Sequence, residues 1–96
     1  MGASTFQQIG YGVTSLEAFK QGKETAEYDY GHRGYTGSMA EKDSFVEIDL
    51  PEGMNPEEYA ELLVSKSDER IDDKWGDAGC LKVKDGEYLF FGWASS

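Results

Sequence analysis

The densest group of side chains able to do chemistry lies in a glycine-punctuated segment, residues 31–38. Glycine lets a backbone approach a ligand closely, and an arginine can bind phosphate oxygens through paired hydrogen bonds. The spacing matches neither G-x-x-x-x-G-K-[ST] nor G-x-G-x-x-G, the two common phosphate-binding loops. The segment is therefore interpreted either as a surface turn or as a site for a nucleotide or another phosphate compound. The side chains assigned to that site are His32, Arg33, Tyr35, Thr36 and Ser38.

The residues needed for common catalytic and metal sites are scarce. His32 is the only histidine, which excludes mechanisms that need two and the usual histidine-rich zinc sites. Cys80 is the only cysteine and is interpreted as a small buried hydrophobe. The acids between Asp68 and Asp77 miss the 1-3-5 spacing and the glycine of an EF-hand calcium loop. No catalytic set, metal site or cofactor is predicted, and the chain is not expected to be an enzyme.

The charge of the chain is strongly negative and unevenly distributed. Its 96 residues carry a net charge of −10 and a sequence pI of about 4.3. Residues 41–77 contain 13 acidic and 4 basic residues, so this middle region holds most of the excess. A surface of this kind repels nucleic acid and anionic membranes. We therefore expect no direct contact with nucleic acid or membrane, and a partner protein with a basic surface.

The second predicted helix and the residues after it hold many of these acids. Spaced carboxylates on a small rigid domain can imitate a phosphate backbone and occupy a basic nucleic-acid channel. The alternative is a solvated helix face that only keeps the protein in solution. The residues assigned to the acidic partner-binding face are Glu57, Glu58, Glu61, Asp68, Glu69, Asp72 and Asp73.

The first third of the chain predicts a strand followed by a helix. The two-residue period of apolar side chains indicates a strand within residues 5–13, and Gly10 and Gly12 indicate a bend or a close neighbour. Thr14 and Glu17 have capping-box spacing, which predicts a helix from residue 15 to about residue 30. Ser38 begins a second capping-box pattern, which predicts a short helical turn.

The remaining elements complete a single domain over residues 1–96. Alternation predicts a strand over residues 44–50, and Asn55 before Pro56 predicts a helix ending near residue 66. Two further strands, over residues 80–84 and 87–93, are joined by Asp85-Gly86 as a type I′ hairpin turn. The predicted fold is α+β, in the order β-α-β-α-β-β. Two helices are expected on one face of a four-stranded, mostly antiparallel sheet.

The predicted strands over residues 44–50 and 80–84 each have one apolar and one charged face, as expected when helices cover only one side of the sheet. The last strand departs from this pattern because both of its faces are apolar. If the strand is central, Phe45 and Phe6 help to cover its second face. If it is an edge strand, its aromatic residues form an open patch for a partner or a homodimer. The residues assigned to this hydrophobic interface are Tyr88, Phe90 and Trp93.

Two motifs carry a resemblance to known proteins. G-Y-T-G-x-x-A-E-K over residues 34–42 and F-F-G-W-A-S over residues 90–95 resemble small acidic proteins encoded by bacteriophages and prophages. The resemblance implies no defined chemistry and assigns no site residues. It does imply an action on the host, because proteins of this kind often inhibit host defence or nucleic-acid machinery, as anti-CRISPR proteins do.

These observations lead to one functional hypothesis and one alternative. The chain is expected to be a phage-type interaction protein that binds and inhibits a host protein. The alternative is a small-ligand binder that sequesters a nucleotide at residues 31–38. The start of the chain lacks the charged and apolar regions of a signal peptide, and one cysteine fits a reducing compartment. The expected location is therefore the cytoplasm, that of the host cell if a phage encodes the protein.

Overall fold

The computed structural model describes residues 3–30 and 37–95. Within these residues the chain forms two α-helices, one 3₁₀ turn and four strands. The elements in chain order are β1 (Ala3–Tyr11), α1 (Ser15–Tyr30), the 3₁₀ turn (Met39–Glu41), β2 (Phe45–Glu47), α2 (Pro56–Ser65), β3 (Ala78–Lys84) and β4 (Glu87–Ser95).

The strands form one mixed sheet in the spatial order β1-β4-β3-β2. β4 pairs antiparallel with β1 along its whole length and antiparallel with β3, whereas β2 pairs parallel with β3. Parallel neighbours need a crossover connection, and α2 provides it between β2 and β3. The α+β class, the element order and the mostly antiparallel sheet are thus confirmed.

The two helices lie on opposite faces of the sheet, which corrects the expectation that both cover one face. Phe90 packs in a core with Ala18 and Phe19 of α1. The next residue, Phe91, packs in a second core with Ala60 and Leu63 of α2. Neighbouring residues of a strand point to opposite faces, so each helix covers its own side. The charged residues that indicated a solvent face, Glu47, Lys82 and Lys84, lie at the ends of β2 and β3.

Because β4 is an interior strand, its aromatic residues do not form an open interface. Tyr88 and Phe90 are buried, and Trp93 is half-buried. Phe90 meets Phe19 and Phe45 at ring-centroid distances of 5.5 and 5.6 Å, within the range of favourable aromatic pairs. The interpretation of a central strand covered by neighbouring aromatics is therefore correct. The hydrophobic interface assigned to Tyr88, Phe90 and Trp93 is not exposed on this chain.

Gly10 of β1 and Gly12, just after the strand, mark the place where α1 approaches the sheet. A Cβ on Gly10 would lie 2.2 Å from the Ala18 carbonyl oxygen, and one on Gly12 would lie 2.6 Å from the Ala18 nitrogen. Both distances are far shorter than a van der Waals contact, so only glycine lets the first turns of α1 pack this closely. The close neighbour expected from these glycines is the backbone of α1.

Adding a single methyl group at Gly10 should therefore be costly. We expect Gly10→Ala to lower the free energy of unfolding by about 1–3 kcal/mol, because the backbone of α1 must move away from the sheet. Chemical denaturation measures this change. Glu24→Ala, at an exposed position of α1, is the control and should change stability by less than about 0.5 kcal/mol. Equal stability of the two variants would show that α1 does not pack against Gly10.

Side-chain caps start both helices where the sequence predicts. The Thr14 hydroxyl accepts from the Glu17 N–H at 3.2 Å, and the Glu17 carboxylate accepts from the Val13 N–H. Asn55 Oδ1 accepts from the Glu57 and Glu58 N–H groups at 2.9 and 3.2 Å. These bonds satisfy N–H groups that have no partner within a helix. Local sequence therefore determines where each helix begins.

The hairpin between β3 and β4 differs from the predicted type I′ turn. Gly86 has a positive φ of 83°, but Asp85 does not have a positive φ, and a type I′ turn needs both. The pairing shifts by one residue at Val83, because Lys82 faces Tyr88 while Lys84 faces Glu87. This bulge takes up the twist that a type I′ turn would otherwise supply.

Candidate functional site

The acidic surface consists of α2 and the residues that follow it: Glu57, Glu58, Glu61, Asp68, Glu69, Asp72 and Asp73. Asn55 caps the helix and Pro56 occupies its first position, so the backbone that carries these side chains has a defined start. Ala60 and Leu63 attach the opposite side of the helix to the core. Asp68 is half-buried and the other six acids are exposed.

Most of these carboxylates form no salt bridge within the described parts of the chain. The exception is Asp68, whose oxygens accept from Arg70 Nε at 2.9 Å and Nη2 at 2.8 Å, while Asp73 lies near the buried Lys42 without pairing with it. These hydrogen bonds lower the pKa of Asp68 to about 2. Among the described residues, no salt bridge involves any of the other six acids. The acidic surface therefore presents nearly all its charge to solvent.

The last part of the acidic surface is a loop held in place by a buried lysine. Lys42 is 1% exposed. Its Nζ donates to the carbonyl oxygens of Gly76 at 2.9 Å, Lys74 at 3.1 Å and Asp73 at 3.5 Å. Burial lowers the pKa of Lys42, and the nearby Asp73, Glu41 and Asp77 oppose this effect. Nothing in the local sequence pattern marks Lys42 as buried.

The turn that Lys42 holds in place carries an exposed tryptophan next to the acidic residues. Trp75 is 65% exposed, and its backbone N–H donates to Asp73 Oδ1 at 2.8 Å. The Gly76 N–H donates to the Asp73 carbonyl at 2.9 Å, which closes the turn. Tryptophan is enriched among residues that dominate binding energy. The turn thus holds the backbone of a large, exposed apolar residue beside the acidic surface.

A cleft of about 440 Å³ separates α2 from β1. Thr5 and Gln7 line it from the strand, and Glu61 and Val64 line it from the helix. Gln7 Nε2 donates to the Glu57 carbonyl at 3.3 Å, which joins the strand to the start of α2. The acidic surface therefore borders the outer edge of the sheet.

Most of the proposed ligand loop lies outside the described residues. This applies to His32, Arg33, Tyr35 and Thr36. Ser38 is described and is 4% exposed. Its hydroxyl accepts from the Ala40 N–H at 3.2 Å, so it caps the predicted short turn. The Ser38 side chain is buried at this position and does not face solvent.

Cys80 is a buried residue of β3, as predicted. Burial raises the pKa of its thiol to about 12, and the nearby Glu47 adds to this effect. The thiolate, which is the reactive form, is therefore rare at neutral pH. Within the described residues, no group of three or more His, Cys, Asp or Glu side chains could hold a metal ion. No described helix is long and apolar enough to cross a membrane.

We expect Cys80 to resist thiol reagents in the folded protein. The reaction of the native chain with a disulfide reagent near pH 8 should be slow, and denaturant should release it. The raised pKa also sets the sign of the pH dependence of stability. As pH rises, the Cys80 thiol of the unfolded chain ionises at a lower pH than that of the folded protein. Stability should fall as pH rises above the ordinary thiol value of 9.0, and Cys80→Ala should remove that part of the fall. Rapid labelling of the native protein would contradict the buried placement.

Comparison of the chain with protein-family models, with curated proteins and with solved structures found no match.

Proposed function

We propose that this chain is a phage-type interaction protein that binds a basic surface of a host protein through its acidic surface and thereby inhibits that protein. The observation that carries the proposal is the set of carboxylates on and after α2, of which, among the described residues, only Asp68 forms a salt bridge. Folded proteins commonly pair or disperse charges of one sign. A concentrated, unpaired set on a capped helix favours a partner of opposite charge.

The physical basis of the interaction is electrostatic complementarity. The net charge of −10 attracts a basic protein over about 10 Å at 0.1 M salt and speeds their encounter. Glu57 and Glu61 lie one helical turn apart on the exposed side of α2. Such a row of fixed carboxylates can occupy a channel that otherwise binds phosphates. The resemblance to phage proteins favours host defence or nucleic-acid machinery as the target.

Charge reversal on α2 tests this proposal. The tagged protein would be incubated with bacterial lysate at about 0.05 and about 0.5 M salt, and retained proteins would be identified by mass spectrometry. We expect a basic protein that is lost at high salt. E57K/E61K should weaken the capture of that protein by at least about tenfold, as measured with the purified partner.

A control on the other face of the sheet separates local contact from total charge. E24K/D29K changes the net charge by the same amount on exposed positions of α1. It should leave the affinity within about threefold of the wild type. Equal losses for both variants would show that only net charge matters. A retained nucleotide that depends on Arg33 would instead support the small-ligand alternative at residues 31–38.

A further inference from the structure

The outer edge of β1 is a row of backbone groups that face away from the sheet. The Gly12 N–H donates to the Gly86 carbonyl at 3.1 Å. Antiparallel ladders alternate, so the even-numbered residues of β1 direct their backbone groups to β4 and the odd-numbered residues direct theirs outward. The Tyr11 N–H agrees with this pattern, because it donates to the Gln21 side chain at 2.9 Å.

Two residues of this edge have no partner for their outward groups among residues 3–30 and 37–95. The Ile9 carbonyl accepts from Gln8 Nε2 at 3.2 Å. For Thr5 and Gln7, no hydrogen bond to the outward N–H or C=O exists within the described parts of the chain. Natural edge strands are usually protected by charges, prolines or bulges. β1 has none of these over its nine residues, and its register with β4 is uninterrupted.

The surroundings of this edge determine what kind of strand it fits. Side chains of an added strand opposite Thr5 and Gln7 would point to the α2 face, into the cleft lined by Glu61 and Val64. The start of α2 also approaches there, through the bond from Gln7 Nε2 to the Glu57 carbonyl. Every second side chain of the added strand would therefore enter the cleft beside Glu61 and the start of α2.

A second copy of this chain fits the edge poorly. Two β1 strands paired about a two-fold axis would form one continuous sheet with both α2 helices on the same face. That arrangement would bring Glu57 and Glu61 of each copy towards those of the other, between two chains that each carry a net charge of −10. Like charges across an interface oppose association. A segment with basic residues at alternate positions has the opposite effect.

We propose that the outer edge of β1 pairs with an extended segment of the partner protein, which adds a fifth strand and directs lysine or arginine side chains towards Glu57 and Glu61. This inference rests on the proposed function and adds main-chain hydrogen bonds to the contact between the two proteins. Main-chain hydrogen bonds supply affinity in this binding mode, and alternate side chains supply specificity. The segment is recognised by its charge pattern and its extended form.

A synthetic peptide provides a defined probe. We would titrate the ¹⁵N-labelled protein with a nine-residue peptide of alternating lysine and valine, matching the length of β1. A second peptide of the same composition, with its lysines grouped at one end, controls for unspecific attraction. The alternating peptide should shift the Thr5 and Gln7 amide signals and slow their hydrogen exchange by about tenfold, since both amides gain an acceptor.

Gln7→Pro removes one outward donor without removing a bond to β4. Proline is tolerated at edge positions whose N–H faces solvent, so the variant should keep its fold, as checked by circular dichroism. It should weaken binding of the alternating peptide by about tenfold. Glu61→Gln should also weaken it, whereas Glu24→Gln on α1 should not. Because the hydrogen-exchange measurement uses the wild-type protein, its result still tests the inference if Gln7→Pro unfolds.

Three results would overturn the inference. They are equal binding of both peptides, peptide binding without protection of Thr5 and Gln7, and self-association of the protein through β1 in place of peptide binding. Capture of the lysate partner distinguishes the two proposals. If E57K/E61K abolishes that capture and a folded Gln7→Pro does not, the acidic surface is the contact and the added strand is not. If neither variant affects it, the proposed function itself is wrong.

Discussion

Phe90→Ala and Phe91→Ala should each lower the free energy of unfolding by about 3–5 kcal/mol, which is the usual cost of truncating a fully buried phenylalanine. Both side chains are 0% exposed although they are neighbours on β4. The sum of the two effects is comparable with the total stability of about 5–15 kcal/mol expected of a small domain. Urea denaturation with a stabilising osmolyte would keep both variants measurable.

The reason for two equal effects is the packing of the helices on opposite faces. Phe90 loses its contacts with Phe19 and Phe45 on the α1 side, and Phe91 loses those with the α2 side. If both helices covered one face, one of the two rings would be exposed and its truncation would cost little. Tyr28→Ala is the control, because Tyr28 is 91% exposed and should change stability by less than about 0.5 kcal/mol.

Lys42→Met should lower the free energy of unfolding by about 2–4 kcal/mol, because it removes charged hydrogen bonds and leaves carbonyl groups without a donor. Methionine nearly fills the space of the lysine stem, so the variant isolates the role of Nζ. Hydrogen exchange at the Trp75 and Gly76 amides should also become faster, since their turn is held by Lys42. Lys20→Met, at an exposed position of α1, should change neither quantity.

The pH dependence of this variant has a defined sign. Burial lowers the pKa of Lys42 below its ordinary value of 10.5. In the alkaline window up to 10.5, the unfolded chain therefore binds more protons than the folded one at this position. Stability of the wild type relative to Lys42→Met should rise as pH increases through that window. A relative stability that falls with pH would show that the ammonium is better stabilised in the folded protein than in water.

The correct predictions from sequence concern features that depend on near neighbours in the chain. The starts of α1 and α2 follow from Thr14 and Asn55, because a cap bonds to N–H groups two or three residues away. The close contact at Gly10 was indicated by a glycine inside a strand pattern. The α+β class and the element order follow from the period of apolar residues.

The wrong predictions concern features that depend on distant residues. The single-face arrangement was inferred from charged residues that lie at the ends of β2 and β3. The type I′ turn was inferred from Asp85-Gly86, but Asp85 has no positive φ and the strand pairing shifts at Val83. The hydrophobic interface at Tyr88 and Phe90 was inferred for an edge strand, and β4 is an interior one.

The features of the candidate site also divide into those that near neighbours in the chain determine and those that depend on distant residues. The sequence alone determined that the chain is acidic, that the excess lies in residues 41–77, and that Glu57, Glu58 and Glu61 belong to one helix. Only the tertiary structure decided that these acids border the open edge of β1 and that Lys42 is buried beneath the loop of Trp75. The physical reason is that charge and helical period are properties of the local chain. Burial and strand order depend on contacts between residues that lie tens of positions apart, and no short pattern in the sequence records which of those contacts form.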